Sequence, residues 1–474
     1  METTTSFKRS LGLLDATMIV AGSMIGSGIF IVSADITRNV GGAGWLTLVW
    51  VLTGLLTLTA ALSYGELSSM FPKAGGQYVY LKEAFGPLTG FLYGWSFFMV
   101  IQTGSIAAVG VAFSKFAAYL FPALSDKNML LDLGFVHFSV AQLTSILLVV
   151  LLTYINSRGV KEGKVIQTVF TLVKLAALFG LIVCGLVKAM GNSHWSDNWQ
   201  NAFHFQQLTA PGKVASYSGL AFAGAIAASM VGSLFSSDSW NNVTFIAGEI
   251  KRPERNIGLS LFYGTLIVTT IYLLANFMYL AVLPLQEIAF ADNDRVGVAA
   301  SQHIFGSSGT DIIAVMLMIS TFGCNNGLIL SGARVCYTMA KDGLFFKGIG
   351  RLNKNGVPGR ALWLQGVWAC ILCTSGHYGE LLEYVIFVVL LFYILTIIGI
   401  FRLRRTQPQL ERPYKAFGYP VLPAIYIIAA TCICVLLLIY RPMFTWPGLG
   451  LVLAGVPVYY LTWGKKARQV LVTA

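Results

Sequence analysis

Two short stretches gather residues suited to binding a small ligand. GSMIGSGIF, residues 22 to 30, sets Gly22, Gly26 and Gly28 among Ser23 and Ser27, and GSLFSSDSW, residues 232 to 240, repeats the pattern and adds Asp238. A glycine inside a helix costs about 1 kcal/mol relative to alanine. The first stretch therefore either packs against a very close neighbour, as Gly22 and Gly26 would at a small-xxx-small helix crossing, or is not continuous helix. If both helices break, their ends have opposite chemistry. A half-helix beginning near Gly28 offers unpaired amides and a positive dipole end to a carboxylate, with hydroxyls from Ser23 and Ser27. A half-helix ending near Phe235 offers free carbonyls to an ammonium group. One site with both poles describes a zwitterion, which points to an amino acid.

Two charges lie deep in apolar sequence. Asp238 sits in the second break, where an intramembrane carboxylate marks a functional site; it would favour substrates with extra positive charge, take a proton, or cap a half-helix starting at Ser239. Lys174, in TVFTLVKLAALFG, is too deep for easy snorkelling. Its ammonium could hold the broken backbone together as a bound sodium ion does in cation-coupled carriers, which implies no sodium requirement; an exposed end of a misplaced span or a packing ion pair is the alternative. Arg334 is expected to satisfy helix-end carbonyls or Asp342. Glu66 and Glu249 read as solvated helix ends or, alternatively, as members of an ion-pair gate.

These residues need a membrane to position them. The 474-residue chain is 56% hydrophobic and 11% charged, with a mean hydropathy of +0.71, against roughly 25% charged in soluble domains. About twelve apolar stretches long enough to cross a bilayer run from Leu11 to Trp463 and leave no room for a soluble domain. The expected first span is 12–33 and the sixth 216–247. The net charge of +12 is a topology signal rather than a nucleic-acid site. With both termini on one side, 23 of the 32 Lys and Arg residues fall on that side, six fall opposite and three fall within spans, so both termini are expected in the cytoplasm. The seven cysteines lie in or beside apolar spans and imply no structural disulfide. The first span reads as a retained anchor rather than a signal peptide.

The two glycine-serine stretches align without a gap five spans apart. Because five is odd, the second copy runs the opposite way through the membrane, the pattern of an inverted-repeat carrier with its site at the midplane. No ring-forming filter sequence argues for a channel, and no His-Glu metal pair or Ser-His pair at depth argues for an enzyme.

Four stretches, GSMIGSGIF, YGELSSMFPKAGGQYVYLKEAFGP (64–87), GEIKRPERNIG (248–258) and SGARVCYTMAKDGLF (331–345), together resemble the amino acid-polyamine-organocation superfamily, most closely its L-type amino acid transporter branch. The resemblance implies an all-α membrane protein of the LeuT type. It would have a tail at 1–10, inverted repeats at 11–190 and 191–405, and two added helices with a C-terminal tail at 406–474. It implies a carboxylate site at Ile25, Gly26, Ser27 and Gly28 and an amino-group site at the carbonyls of Phe235, Ser236 and Asp238, with Phe235 closing over the substrate. Lys174 would reach the first break near Gly22 together with a hydroxyl, Ser320; Asn326 would lie near the site, and Ile101 and Ser105 would line the side-chain pocket. No cofactor and no metal are implied.

The expected activity is sodium-independent exchange of neutral L-amino acids across the cell membrane. A cationic amino acid or polyamine carrier and a proton-coupled symporter are the alternatives. Relatives for large neutral substrates tend to read G-G-W where this chain has Asp238-Ser239-Trp240, and an acidic residue there resembles carriers of dibasic amino acids or cystine. FPALSDKNMLLDLGFVHF lacks the cysteine through which animal heteromeric members bond a glycoprotein, so a stand-alone carrier is expected.

Overall fold

The structure is a computed structural model that describes residues 7, 9–132, 137–217, 219, 221–374 and 378–462. In hydrocarbon, backbone amides must be satisfied within the chain, and these apolar segments do so as helices. In order they are α1 (Leu13–Met24), α2 (Val32–Val40), α3 (Ala43–Met70), α4 (Gln77–Phe85), α5 (Pro87–Ser96), α6 (Gln102–Leu120), α7 (Val140–Arg158), α8 (Val160–Lys188), α9 (His194–Trp199) and α10 (Ala221–Ser236). There follow α11 (Asn242–Phe245), α12 (Pro253–Val282), α13 (Leu285–Ala289), α14 (Val296–Phe305), α15 (Ser307–Lys341), α16 (Gly359–Cys373), α17 (Tyr378–Thr406), α18 (Val421–Tyr440) and α19 (Pro442–Thr462).

Among the described residues, nine helical segments are long and apolar enough to cross a membrane, with α5 and α6 counted as one through a π turn at Phe97–Ile101. Three shorter apolar helices, α1, α10 and α16, stand where three more crossings are expected. Two of those are short because they end at the glycine-serine stretches. Small two-stranded hairpins, β1 (Met129–Asp132) with β2 (His137–Ser139) and β3 (Gln207–Ala210) with β4 (Lys213–Ala215), depart from the purely helical expectation. Both lie in connections between helices. Lys8, His377, Lys465, Lys466, Arg468 and the end of the last expected span lie outside the described residues.

The breaks occupy the centre of the bundle. Helix α1 sits among α8, α12 and α15, while α10 packs against α2, α3, α17 and α18. Helix α1 stops at Met24, where Ile25 turns extended at φ −75° and ψ 96°, and a 3-10 turn at Gly28–Phe30 leads into α2. Helix α10 stops at Ser236, and the chain passes through Ser239, a non-glycine at φ 67°, before α11.

Close packing and chain breaking both account for the first glycines, at different positions. Gly22 lies inside α1, and a Cβ there would stand 2.1 Å from Gln167 Nε2 and 2.2 Å from Thr171 Oγ1 of α8. Gly28 lies in the break, and its Cβ would stand 2.0 Å from Ser236 Oγ. The glycines thus bring α1 against α8 and the first break against the second.

Candidate functional site

Unwinding leaves carbonyls at the end of α1 that need donors, and side chains from three other helices supply them. Lys174 Nζ of α8 donates to Gly22 O at 2.5 Å and Ile25 O at 2.6 Å. Ser320 Oγ of α15 contacts Ile25 O and Gly26 O, each at 3.2 Å. Lys174 and Ser320 therefore meet on one carbonyl, that of Ile25. Cys324 Sγ donates to Ser23 O at 3.0 Å. Tyr272 Oη of α12 reaches Met24 O at 3.1 Å and Ser236 O at 2.9 Å, touching both breaks with one hydroxyl.

The donors of the first break are less engaged. Among the described residues, the backbone N–H groups of Gly26 and Gly28 take no acceptor, and the buried Ser23 hydroxyl has no partner. These groups line a small cavity with Ser27, Ser105, Phe235, Ser236, Ser239 and Cys324. Across it, Phe235 O accepts the Asp238 N–H at 3.1 Å, and Ser236 O accepts from Tyr272. A carbonyl has two lone pairs, so Ser236 O can accept a second donor.

A second cavity begins beyond Ser239. Ile101, Gln102, Asp238, Asn241, Asn242, Gln77 and Tyr393 line it. Ser105 and Ile101 stand one helical turn apart, with Ser105 Oγ donating to Ile101 O at 2.7 Å, so span 3 faces both cavities. Asp238 Oδ1 accepts a hydrogen bond from Tyr393 Oη of α17 at 2.6 Å. It does not cap a half-helix at Ser239, because α11 begins only at Asn242.

The Asn326 side-chain amide accepts from Asn156 of α7 at 2.9 Å and donates to Gln167 of α8 at 3.2 Å, beside the first break. Sequence reasoning does not reach Tyr272, Cys324 and Tyr393. Each lies in an apolar helix where an aromatic or thiol ordinarily fills space, and only their contacts single them out.

The expectations for the outer charges are corrected. Glu66 and Glu249 are buried, not solvated, at 1% and 2% exposure. Glu66 takes two bonds from Arg404, at 2.9 and 2.6 Å, and one from the Ala416 N–H at 2.7 Å. Arg334 Nε pairs with Glu249 at 3.0 Å and a terminal nitrogen donates to Leu330 O. Asp342, the partner expected for Arg334, instead binds Tyr78 at 2.8 Å and Lys82 at 2.7 Å. A buried guanidinium needs a carboxylate, and the one within reach comes from the segment after α11.

Two interrupted helices, crossing at a small polar cavity inside an apolar multi-helix bundle, define a class of membrane transporter rather than of enzyme. The chain belongs to the amino acid permease family, whose pattern it matches over residues 11–463. It is similar to the serine/threonine exchanger SteT of Bacillus subtilis (strain 168), at 32% identity over 98% of each chain. It is also similar to the b(0,+)-type amino acid transporter 1 of Homo sapiens, at 30% identity over 97% of this chain and 88% of that one. The human large neutral amino acids transporter small subunit 2 is 30% identical over 98% of this chain and 82% of its own length.

Proposed function

We propose that the protein exchanges neutral L-amino acids across the cell membrane by alternating access, without sodium. The observation that carries this reading is the facing of donors and acceptors over one cavity: the free N–H groups of Gly26 and Gly28 with the Ser23 hydroxyl on one side, and the carbonyl end of α10 on the other. The substrate carboxylate sits on the first set and its ammonium group on the carbonyls of Phe235, Ser236 and Asp238. The side chain extends past Ser105 toward Ile101. Lys174 supplies a fixed positive charge against the carbonyl end of α1, the position at which a coupling cation would otherwise be needed. The names of the relatives, an exchanger of serine and threonine and a transporter of large neutral amino acids, support the same substrate class.

In this reading residues 11–190 and 191–405 are inverted repeats, with α18 and α19 added, and both termini are cytoplasmic on the distribution of Lys and Arg. The absence of cysteine from residues 121–138 supports a carrier that works without a disulfide-linked glycoprotein.

The test is counterflow. Purified protein in liposomes, preloaded with single amino acids, is offered labelled alanine or labelled arginine without a sodium gradient. Entry of alanine driven by neutral contents is expected. Entry of arginine alone, against cationic contents, would replace this reading with the cationic carrier, for which Asp238 at the edge of the second cavity is the supporting observation.

A further inference from the structure

The second cavity holds a carboxylate that a substrate side chain would meet, yet that carboxylate already has a partner. Asp238 Oδ1 takes the Tyr393 hydroxyl at 2.6 Å, and among the described residues no lysine, arginine or histidine pairs with it. Tyr393 is fixed in place by two other rings. The centroids of Trp240 and Tyr64 stand 5.2 and 5.8 Å from its own, and those two rings meet each other at 4.8 Å. The phenol therefore cannot swing aside without disturbing a buried aromatic cluster.

The surroundings would otherwise suit a cation. Gln77, Asn241 and Asn242 line the same cavity. Gln77 and Asn241 are joined by a 3.0 Å bond, and Gln77 in turn donates to Thr396 at 3.0 Å. An ammonium or guanidinium group entering here would find amide oxygens and one carboxylate. That carboxylate already accepts the Tyr393 hydroxyl at Oδ1.

We propose that Tyr393 is a specificity-determining residue: by holding the Asp238 carboxylate, it directs the carrier toward neutral rather than cationic amino acids. This rests on the transport reading above, with the substrate side chain entering the second cavity. A hydrogen bond to a charged group is worth more than one between neutral groups, so the phenol stabilises the Asp238 charge where it stands, and a cationic side chain sharing the carboxylate with it gains less than it would from a bare one. A neutral side chain leaves that bond in place. A carboxylate in this position then serves structure while the phenol is present and would serve recognition once it is gone.

The test compares arginine and alanine as inhibitors of labelled alanine uptake in proteoliposomes, for the unmodified protein, Tyr393→Phe, Asp238→Asn and the double variant. Tyr393→Phe keeps the ring and removes the hydroxyl. It should strengthen inhibition by arginine relative to alanine by about tenfold, the scale of one hydrogen bond to a charged group, and the double variant should abolish that gain. Asp238→Asn alone should shift the arginine-to-alanine ratio by well under tenfold. A folded Tyr393→Phe protein that transports alanine with an unchanged ratio overturns the proposal. If Tyr393→Phe does not fold, Asp238→Asn decides: a fall of tenfold or more in arginine inhibition relative to alanine would mean the carboxylate already recognises cations. Failure of the unmodified protein to take up any amino acid would instead sink the transport reading itself.

Discussion

At Lys174 a buried ammonium, 3% exposed, donates to two carbonyls of a helix that stops in mid-bundle. Charge-assisted bonds of this kind contribute about 1.5–3 kcal/mol each. Lys174→Ala should therefore reduce exchange by about tenfold or more while the protein still inserts and elutes as a single species. Near-normal exchange by that variant would remove the role given to the ammonium. Lys174 is legible in the sequence because a lone cation in an apolar stretch must be held by some group at depth. Tyr393 is not, because a tyrosine among Phe, Leu and Ile looks like core, and its meaning depends on α17 bringing it to Asp238. Asp238 can be picked out by type and position, but its partner cannot be.

Among the elements, the end of α3 shows how much one carboxylate can organise. Glu66 joins α3 to α17 through Arg404 and to the segment before α18 through Ala416 N–H, with Arg412 Nε 3.5 Å away. Breaking a buried pair by removing one partner costs about 3–5 kcal/mol. Arg404 is 23% exposed and can turn partly to solvent, so Glu66→Ala should fall at the low end of that range, read as a lower thermal unfolding midpoint. Arg404→Ala should cost less, because Glu66 keeps Arg412 and the Ala416 amide. Equal midpoints for Glu66→Ala and the unmodified protein would show that the junction adds nothing. The helices and their two breaks can be placed from hydropathy and glycine alone. The closure of Glu66 and Glu249 cannot, since sequence locates a charge at a helix end without saying what packs over it. The two hairpins are likewise hidden, being short and stabilised by pairing within connections.

For the whole molecule, the repeated glycine-serine pattern carries the most information, because it relates two distant parts of the chain before any contact is known. What it does not carry is how those parts are joined. Tyr272 Oη spans them, reaching Met24 O and Ser236 O with one hydroxyl, and a phenol has a single proton to share. That shared bond makes the two poles of the cavity behave as the jaws of a locked caliper. On the proposed reading of the cavity, the gap between the seat for a carboxylate and the seat for an ammonium would then be set by the protein rather than by its cargo, and the carrier would measure how many carbons separate those two groups. In the counterflow assay, alanine should drive exchange and β-alanine, with one more methylene between its charges, should not. Equal exchange with β-alanine would mean that the jaws slide. Tyr272→Phe, which releases the catch, is the variant in which the longer backbone should begin to be accepted.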